Sequence, residues 1–500
     1  MIGIRPSIGI VWILLVVMGG IGYPLSVSAS ASSSCTDDSC STCVCASKSA
    51  FVPRRITQDA TFQHASTLYQ INYVNPESSI KFYGKTFVQR SRNGKDLARY
   101  FLPKCKSSVL VKENGIGDIN ALWFGVIAPP LDELTKFYES TYTLCPIRTA
   151  YGSSLDLHLS ITDNIWVNIY TAIMHVRHDL NPAECNRSQT GALNNFVTFL
   201  QAMNNKNWCF GKIPFCSQSR TGVDDIKFEV GYNFNDPEDE YHAALYALVV
   251  APTGKKPTAE TLFEPLVGSR HAAVGGGFNG SYIFWENDDK DHRFAGLLDV
   301  NYRYAFSGTE LRSFDLTANK DWSRYLLMSN QSDPLVPFPG INILTLPVSV
   351  TPRSSVNFLG AFHYQYSSWD AELGYNFWWR DSEKIELCAS NFPKNVGIYD
   401  LPGIGKVTQT TASTATIAQP LTGTNAITSD AEFTSVKLSD LNVCSAKHPR
   451  VSTHKAYGTV TWHSDNEDYN WLIGLGGSYE FTRCAALEQW AVWLNTGFIF

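Results

Sequence analysis

The feature of this sequence that most constrains its fold is a strict alternation of apolar and polar side chains over unusually long segments. Residues 293–307 carry glycine, aliphatic or aromatic side chains at even positions, and Asp299, Asn301 and Arg303 at odd positions. A period of two residues predicts a β-strand with one apolar face. The same alternation, broken by a short polar turn, occurs at 153–176, 355–380 and 456–481.

The length of these strands indicates the kind of protein. They run to about ten residues or more, whereas strands of soluble proteins usually have about 5–6, and a strand that crosses a bilayer needs about 9–11. A large soluble β-sandwich or propeller is the alternative. A mean hydropathy of -0.13 is too polar for a helical membrane protein, and aromatic residues near strand ends fit interfacial girdles. We therefore predict an all-β fold, a transmembrane antiparallel β-barrel.

The first 31 residues predict a targeting signal. Arg5 precedes an apolar stretch, and Ala29-Ser30-Ala31 fits a small-residue cleavage site. An uncleaved anchor is the alternative, but the apolar run is shorter than the ~20 residues of a spanning helix. We expect a signal peptide at 1–31 and a mature protein in the bacterial outer membrane.

The turns predict the orientation and the size of the barrel. If the C-terminus lies in the periplasm, most short turns fall on the periplasmic side of the membrane and most long loops on the outer side, as in outer-membrane barrels. Counting back from the C-terminus predicts about 16 strands (14–16) that begin near Ile80. The barrel then spans 78–500, with long outer loops near 178–224 and 381–451.

Residues 32–77 precede the barrel and are rich in cysteine. We expect this leader either to lie in the periplasm or to plug the lumen. The 12 cysteines of the chain fit an oxidising compartment, although spacing does not reveal their connectivity. Zinc binding or lipidation within the leader are alternatives to disulfides. The candidates for disulfides are Cys35, Cys40, Cys43, Cys45, Cys185, Cys209, Cys216, Cys388 and Cys444.

Several segments carry a resemblance to known proteins. They resemble parts of porin-like bacterial outer-membrane β-barrel proteins of about this length, a largely uncharacterised family. The resemblance covers most of 51–500 and implies a barrel, but it implies neither catalytic residues nor a cofactor. The segments are Phe51-Val52-Pro53-Arg54, "IYTAIMHVRHDLN", "ALYALVVAPTGKKPTAETLFEPLVGSRHAAVGGGFNGSYIFWEN", "ELGYNFWWRDSEKI" and "GSYEFTRCAALEQWAVWLNTGFIF".

The chain ends in an aromatic strand, "QWAVWLNTGFIF". A final aromatic residue with apolar residues at alternate positions resembles the signal read by the barrel assembly machinery. Phe498 and Phe500 match that signal, whereas Thr496 departs from it. We expect this strand to close the barrel against the strand near Ile80.

Polar residues on the predicted inward faces are the candidates for lining a pore. Opposed acids and bases across a lumen orient dipolar solutes and exclude apolar ones. The alternative is an inner wall of mutually paired side chains without selectivity. The candidates are Asp156, His158, Asp299, Asn301, Arg303, His363, Gln365, Asp370, Glu372, Asn376 and Arg380.

These observations predict a porin-like channel for diffusion of small hydrophilic solutes, embedded in outer-membrane lipid. The alternative is a structural or adhesive surface barrel with disulfide-braced loops and no open pore. A rim enzyme using His175 or His178 is a third hypothesis, but no Gly-x-Ser-x-Gly sequence occurs, and we expect no enzyme. The net charge of -6 argues against nucleic-acid binding, and a homo-oligomer remains open.

Overall fold

In the computed structural model, 12 antiparallel strands close into a barrel, and each strand pairs with its neighbours in the chain. The last strand pairs with the first, with Lys81 opposite Ile499 and Ser91 opposite Gln489, as predicted. The strands are β1 (Ile80–Ser91), β2 (Ile147–Ser160), β3 (Ile165–Asp179), β4 (Ile226–Asn233), β5 (Tyr241–Ala251), β6 (Ala273–Glu286), β7 (His292–Ala305), β8 (Arg353–Tyr366), β9 (Trp369–Arg380), β10 (Val451–His463), β11 (Asn470–Thr482) and β12 (Gln489–Ile499).

The structure describes residues 47–63, 80–113, 117–126, 137–190, 196–234, 240–289, 291–387, 392–399, 415–419, 434–464, 470–482 and 485–499. The predicted signal peptide, Phe500, and the cysteines Cys35, Cys40, Cys43, Cys45 and Cys388 lie outside these residues. No helix in the described ranges is both long enough and apolar enough to cross a bilayer.

The predicted number of strands is wrong, because the closed wall has 12 strands rather than 14–16. A thirteenth strand, Gln218–Val223, pairs with the outer end of β3 and stands outside the closed wall. Other alternating segments form separate small sheets in the long loops. At 2 to 8 residues they are too short to span a bilayer. They are Ser108–Lys112, Ile119–Asn120, Phe137–Thr143, Ala183–Thr190, Gly308–Ser313, Asp315–Leu316, Leu327–Asn330, Asp333–Pro339, Thr345–Thr351, Lys384–Glu386, Val396–Ile398 and Leu441–Asn442.

The described helices are short and lie outside the wall strands. The α-helices are Ala60–Gln63, Gly94–Phe101, Phe199–Ala202 and Val443–Ala446. The 3₁₀ turns are Ile56–Gln58, Pro103–Cys105, Ala121–Phe124, Ser323–Tyr325, Gly340–Asn342 and Leu438–Asp440.

The two faces of the wall differ in the way that a membrane requires. Outward side chains are apolar and exposed: Leu373 is 70% exposed and Leu475 is 67% exposed. A continuous apolar belt of this kind is unfavourable in water and is the lipid-facing band of a membrane barrel. Inward side chains are mostly polar and buried. The wall therefore crosses a membrane, as bacterial outer-membrane barrels do.

Glycines let inward aromatic rings lie flat against the wall. A Cβ atom on Gly231 would overlap the ring of Trp166, its cross-strand partner. The same arrangement recurs where a neighbouring strand offers no side chain, which lets a ring cover the bare backbone. The other pairs are Tyr83 with Gly497, Tyr246 with Gly277, Tyr457 with Gly374, and Trp493 with Gly476.

The long loops fold together at one end of the barrel, opposite the short turns. We call the described parts of 92–146, 180–225, 252–272, 306–352 and 381–450 the outer cap. Trp322 Nε1 donates to Phe101 O (2.7 Å), and Tyr325 Oη donates to Gly211 O (2.8 Å), so the cap ties three loops together. Its apolar core includes Leu97, Phe101, Trp123, Tyr138, Phe199, Leu262, Trp322, Tyr325, Met328 and Ile341.

Candidate functional site in the barrel lumen

The inner wall carries the polar residues that the alternation assigned to it. Ten of the eleven candidates are at most 8% exposed, and Gln365, near the turn between β8 and β9, is half-buried. The buried ten are Asp156, His158, Asp299, Asn301, Arg303, His363, Asp370, Glu372, Asn376 and Arg380.

These residues form several paired clusters rather than one line of unpaired charges. His363 Nε2 lies 3.1 Å from Asp370 Oδ1, and His463 Nε2 lies 3.7 Å from Asp370 Oδ2. Asp299 accepts hydrogen bonds from Tyr246 Oη and Asn301 Nδ2, each at 3.1 Å. These candidates are therefore bonded to neighbouring residues of the wall.

Residues 47–63, which we call the lumen segment, pass from the outer cap into the barrel. Lys48 Nζ donates to Cys444 O (2.7 Å), and Ser49 N donates to Ser445 O (2.9 Å). The Phe51 ring packs edge-on against Tyr100, with ring centroids 5.5 Å apart. The start of the segment is thus held by the outer cap.

Arg54 joins the lumen segment to three strands of the wall. Its Nη1 donates to Glu480 Oε1 on β11 (3.1 Å). Its Nη2 donates to Asn376 Oδ1 on β9 (2.6 Å) and to Asn357 Oδ1 on β8 (3.3 Å). The guanidinium also lies over the Trp378 ring, 5.3 Å from its centroid. Arg54 therefore satisfies acceptors on three strands of one part of the wall.

Below Arg54, the segment bonds to two buried lysines of the wall. Lys455 Nζ pairs with the Asp59 carboxylate and lies 3.3 Å from Glu480 Oε2. Lys85 Nζ donates to Thr61 O and lies 4.7 Å from the Trp493 ring centroid. The contacts with Thr61 and Asp59 hold the segment from β1 and β10 at once.

Two further contacts complete the attachment. Arg303 Nη1 donates to Thr57 O (2.6 Å), and Gln63 Nε2 donates to Glu229 Oε2 (3.2 Å). Phe62 fills the remaining space with an edge-on contact to Phe87, whose centroid lies 4.9 Å away. A barrel of eight strands is filled by its own side chains, whereas wider barrels hold a channel or a plug. Here a separate piece of chain occupies the lumen.

Two wall partners of the segment, Asn376 and Arg303, are candidates from the sequence, whereas the other partners are not. Lys85, Lys455 and Glu480 stand at inward positions of β1, β10 and β11, so the two-residue alternation was the signal that could have found them. Arg54 and Asp59 precede the barrel and lie in no alternating pattern. Their role depends on the tertiary path of the segment, which no local pattern predicts.

A second charged cluster lies in the outer cap. Arg312 pairs with Glu310 (2.6 Å) and with Glu383 (3.0 Å), and His271 Nε2 lies 3.0 Å from Glu310 Oε1. Burial alone would raise the pKa of Glu310, but Arg312 and His271 outweigh it and lower that pKa to about 2. Conversely, the carboxylates of Glu383 and Glu310 outweigh burial and raise the pKa of Arg312. The cluster is charged and mutually satisfied.

The described cysteines do not brace the loop from 178 to 224 as expected. Cys185, Cys209 and Cys216 carry free thiols. Two of them contact different parts of the outer cap. Cys185 lies opposite Thr141 in a small sheet, while Cys209 N donates to Asn342 Oδ1 (2.7 Å). Cys444 is disulfide-bonded, and Cys388, another candidate, lies outside the described residues.

The two rim histidines of the enzyme hypothesis lie on opposite faces of β3. His175 is half-buried and stacks on Tyr151 at 4.9 Å. His178 is 2% exposed and stacks on Phe263 at 4.0 Å. The two rings therefore anchor separate surfaces and do not share one site.

Comparison with known proteins returns only distant structural similarity. No protein-family model matches the chain, and no curated protein matches it. An outer-membrane channel from Pseudomonas putida F1 is 8% identical, with a TM-score of 0.38 over 85% of this chain and 97% of that one. A Pseudomonas aeruginosa FadL homologue is 9% identical, with a TM-score of 0.27 over 86% and 91%.

The β domain of the Bordetella autotransporter BrkA is 7% identical, with a TM-score of 0.27 over 85% of this chain and 99% of that domain. At such scores no property of these proteins transfers to this chain. The assignment to the outer membrane rests on the closed barrel itself, with its apolar outer belt, polar interior, and short turns at one end.

Proposed function

We propose that the protein is an outer-membrane channel for small hydrophilic solutes and that the lumen segment is its plug. The observation that carries this proposal is the bonding of the segment. Guanidinium, ammonium, carboxylate and amide groups attach it to the wall. Water can satisfy all of these polar groups when the segment moves. Displacement therefore opens a path along the polar wall, at the cost of exposing the contact between Phe62 and Phe87.

The size of the barrel supports the same conclusion. Side chains alone can fill the lumen of an eight-stranded barrel. This barrel has 12 strands and encloses more space. The separate segment closes a lumen that is wide enough to conduct. When the segment moves, solutes would meet the polar inner wall.

The alternative, a structural or adhesive surface barrel, has an observation of its own. The outer cap has an apolar core that ties several loops together, and the lumen is occupied. A barrel that only displays this cap needs no pore. Such a protein would be impermeable to solutes under any condition that preserves its fold.

Solute uptake into liposomes separates the two functions. We expect liposomes that contain the full-length protein to admit small sugars, with a rate that falls as sugar size rises. Asp59→Asn, which removes the charge partner of Lys455, should raise the rate several-fold because the segment is released more often. Arg99→Gln is the matched control, since Arg99 is exposed on the outer cap, and its rate should equal that of the wild type. Folded protein that admits no sugar in any of the three forms would refute the channel.

A further inference from the structure

A cavity of about 80 Å³ lies at the outer mouth of the barrel, between the lumen segment and the wall. Its lining includes four arginines. Arg312 is paired with Glu310 and Glu383, and the other three are Arg55 from the lumen segment, Arg303 near the outer end of β7, and Arg380 at the outer end of β9. The loop between β5 and β6 and the strand Gly308–Ser313 complete the lining.

The three guanidinium groups are buried and incompletely hydrogen-bonded. Arg55 is 8% exposed, and Arg303 and Arg380 are each 4% exposed. Among the described residues, Nη1 of Arg55, Nη2 of Arg303 and Nε of Arg380 have no hydrogen-bond acceptor. A buried charged donor without an acceptor is strongly unfavourable. Three arginines with such donors line one cavity, and this arrangement favours a ligand that accepts hydrogen bonds.

The carboxylates in the same lining have partners of their own. Glu310 and Glu383 pair with Arg312. Glu264 pairs with Arg220 at 2.8 Å. Asp225 accepts the backbone N–H of Ser269 at 2.9 Å.

The three cavity arginines have no comparable partner. In the described part of the chain, none of Arg55, Arg303 and Arg380 lies within ion-pair distance of a carboxylate. Two of them bond to neutral groups: Arg303 Nη1 donates to Thr57 O, and Arg380 Nη2 donates to His448 Nδ1 at 2.5 Å. The cavity thus has an excess of positive charge on its wall.

We infer that this cavity binds a small oxyanion, a carboxylate or a phosphate, between the lumen segment and the wall. The guanidinium fork matches the geometry of both groups and binds them through paired hydrogen bonds. The volume admits one such group with a few water molecules. Because Arg55 belongs to the segment and the other two arginines to the wall, the bound anion links one to the other. This binding does not depend on the proposed channel function.

The test measures binding to the full-length protein in detergent. Sodium phosphate and sodium succinate are titrated against sodium chloride at constant ionic strength. Hydrogen exchange of residues 52–58 and the thermal midpoint are followed together. We expect saturable protection of 52–58 and a rising midpoint with phosphate, succinate or both, beyond the effect of chloride. No saturable protection with either anion overturns the inference.

Variants locate the site. Arg303→Gln and Arg380→Gln should each weaken the anion affinity about 10-fold or more, as expected for the loss of a charge-assisted hydrogen bond. Arg99→Gln should bind as the wild type does. If the wall variants fail to fold, Arg55→Gln and Arg55→Lys test the same site from the segment, and the lysine variant should retain more affinity than the glutamine variant. Unchanged affinity in a folded glutamine variant places the anion elsewhere and overturns the inference.

Discussion

Among single residues, Arg54 makes the most extensive set of contacts between the lumen segment and the wall. It reaches acceptors on β8, β9 and β11 and lies 3.6 Å from Asp59 within the segment. Its side chain is 4% exposed, so bulk water does not screen these contacts. Removing one partner of such a buried network costs more than removing a surface ion pair.

Replacing Arg54 with glutamine should therefore loosen the segment. Glu480 loses one of its cationic partners, and we expect a loss of about 3–5 kcal/mol in the free energy that holds the segment in place. Hydrogen exchange of residues 52–63 should accelerate accordingly. Arg99→Gln should change protection by less than about 0.5 kcal/mol. Equal protection in Arg54→Gln and the wild type would show that the segment is held without this residue.

The stability of the outer cap should depend on pH through Glu310. The pKa of Glu310 is lowered from 4.5 to about 2 in the folded protein, so the folded state binds this proton less readily than the unfolded state. The contribution, on the order of 3 kcal/mol, is present above the unfolded pKa and is lost as the pH falls through the folded value.

This dependence is measured by the exchange of Gly308–Ser313, corrected for intrinsic rates, between about pH 6 and about pH 3. We expect protection to fall with the pH in the wild type. Glu310→Gln should be less protected at the upper pH and nearly insensitive to the change. A wild type as insensitive as this variant would contradict the assignment.

At the level of strands, the alternation of the sequence correctly predicts which residues face outward and which face inward. It does not predict that Trp166 lies over Gly231, because that contact depends on the register between β3 and β4. Register follows from the pairing of whole strands, and no single strand encodes it.

Adding a methyl group at Gly231 should therefore be costly. Gly231→Ala forces the Trp166 ring away from the wall, and we expect a loss of about 1–3 kcal/mol in unfolding free energy, as for overpacking elsewhere. Gly458→Ala is the matched control, because the nearest atom to its added Cβ would be Glu372 O at 3.4 Å. Urea unfolding in detergent compares the two variants. Equal stability would mean that the ring contact does not constrain the wall.

Thr496, which departs from the predicted assembly signal, has a role in the closing seam. Its Oγ1 donates to Gly84 O on β1 (3.4 Å), across the pairing that completes the barrel. Phe498 is 48% exposed on the outer face, opposite Phe82. The hydroxyl at 496 thus supports the same closure that the apolar residues of the strand serve.

The assembly signal itself remains a prediction. Deleting Phe500 should slow or prevent insertion, because the machinery would lose the final aromatic residue. The amount of heat-modifiable, folded barrel in the outer membrane measures this step. Thr496→Val removes a hydroxyl from the same strand and keeps the aromatic end, so it should insert at nearly the wild-type level. Normal insertion without Phe500 would refute the signal.

For the whole molecule, the sequence correctly predicts the barrel and the pairing of its first and last strands, but not the number of strands. The orientation in the membrane stays a prediction. Alternation marks strands in the wall and in the outer cap alike. The short strands of the cap, such as Gly308–Ser313 paired with Thr345–Thr351, raise the predicted number of strands although they do not span the membrane. A plug formed by residues before the barrel was one of two expectations, and the sequence did not decide between them. The contacts that fix the path of the segment join residues more than 300 positions apart.

The central claim is that a barrel able to conduct is closed by residues 47–63, and single-channel recording tests it most directly. The chain without 47–63 is reconstituted in planar bilayers after heat modifiability shows that its barrel has folded. We expect long, stable conductance steps from this variant, and small or brief steps from the wild type. A folded variant whose conductance is no greater than that of the wild type would contradict the claim.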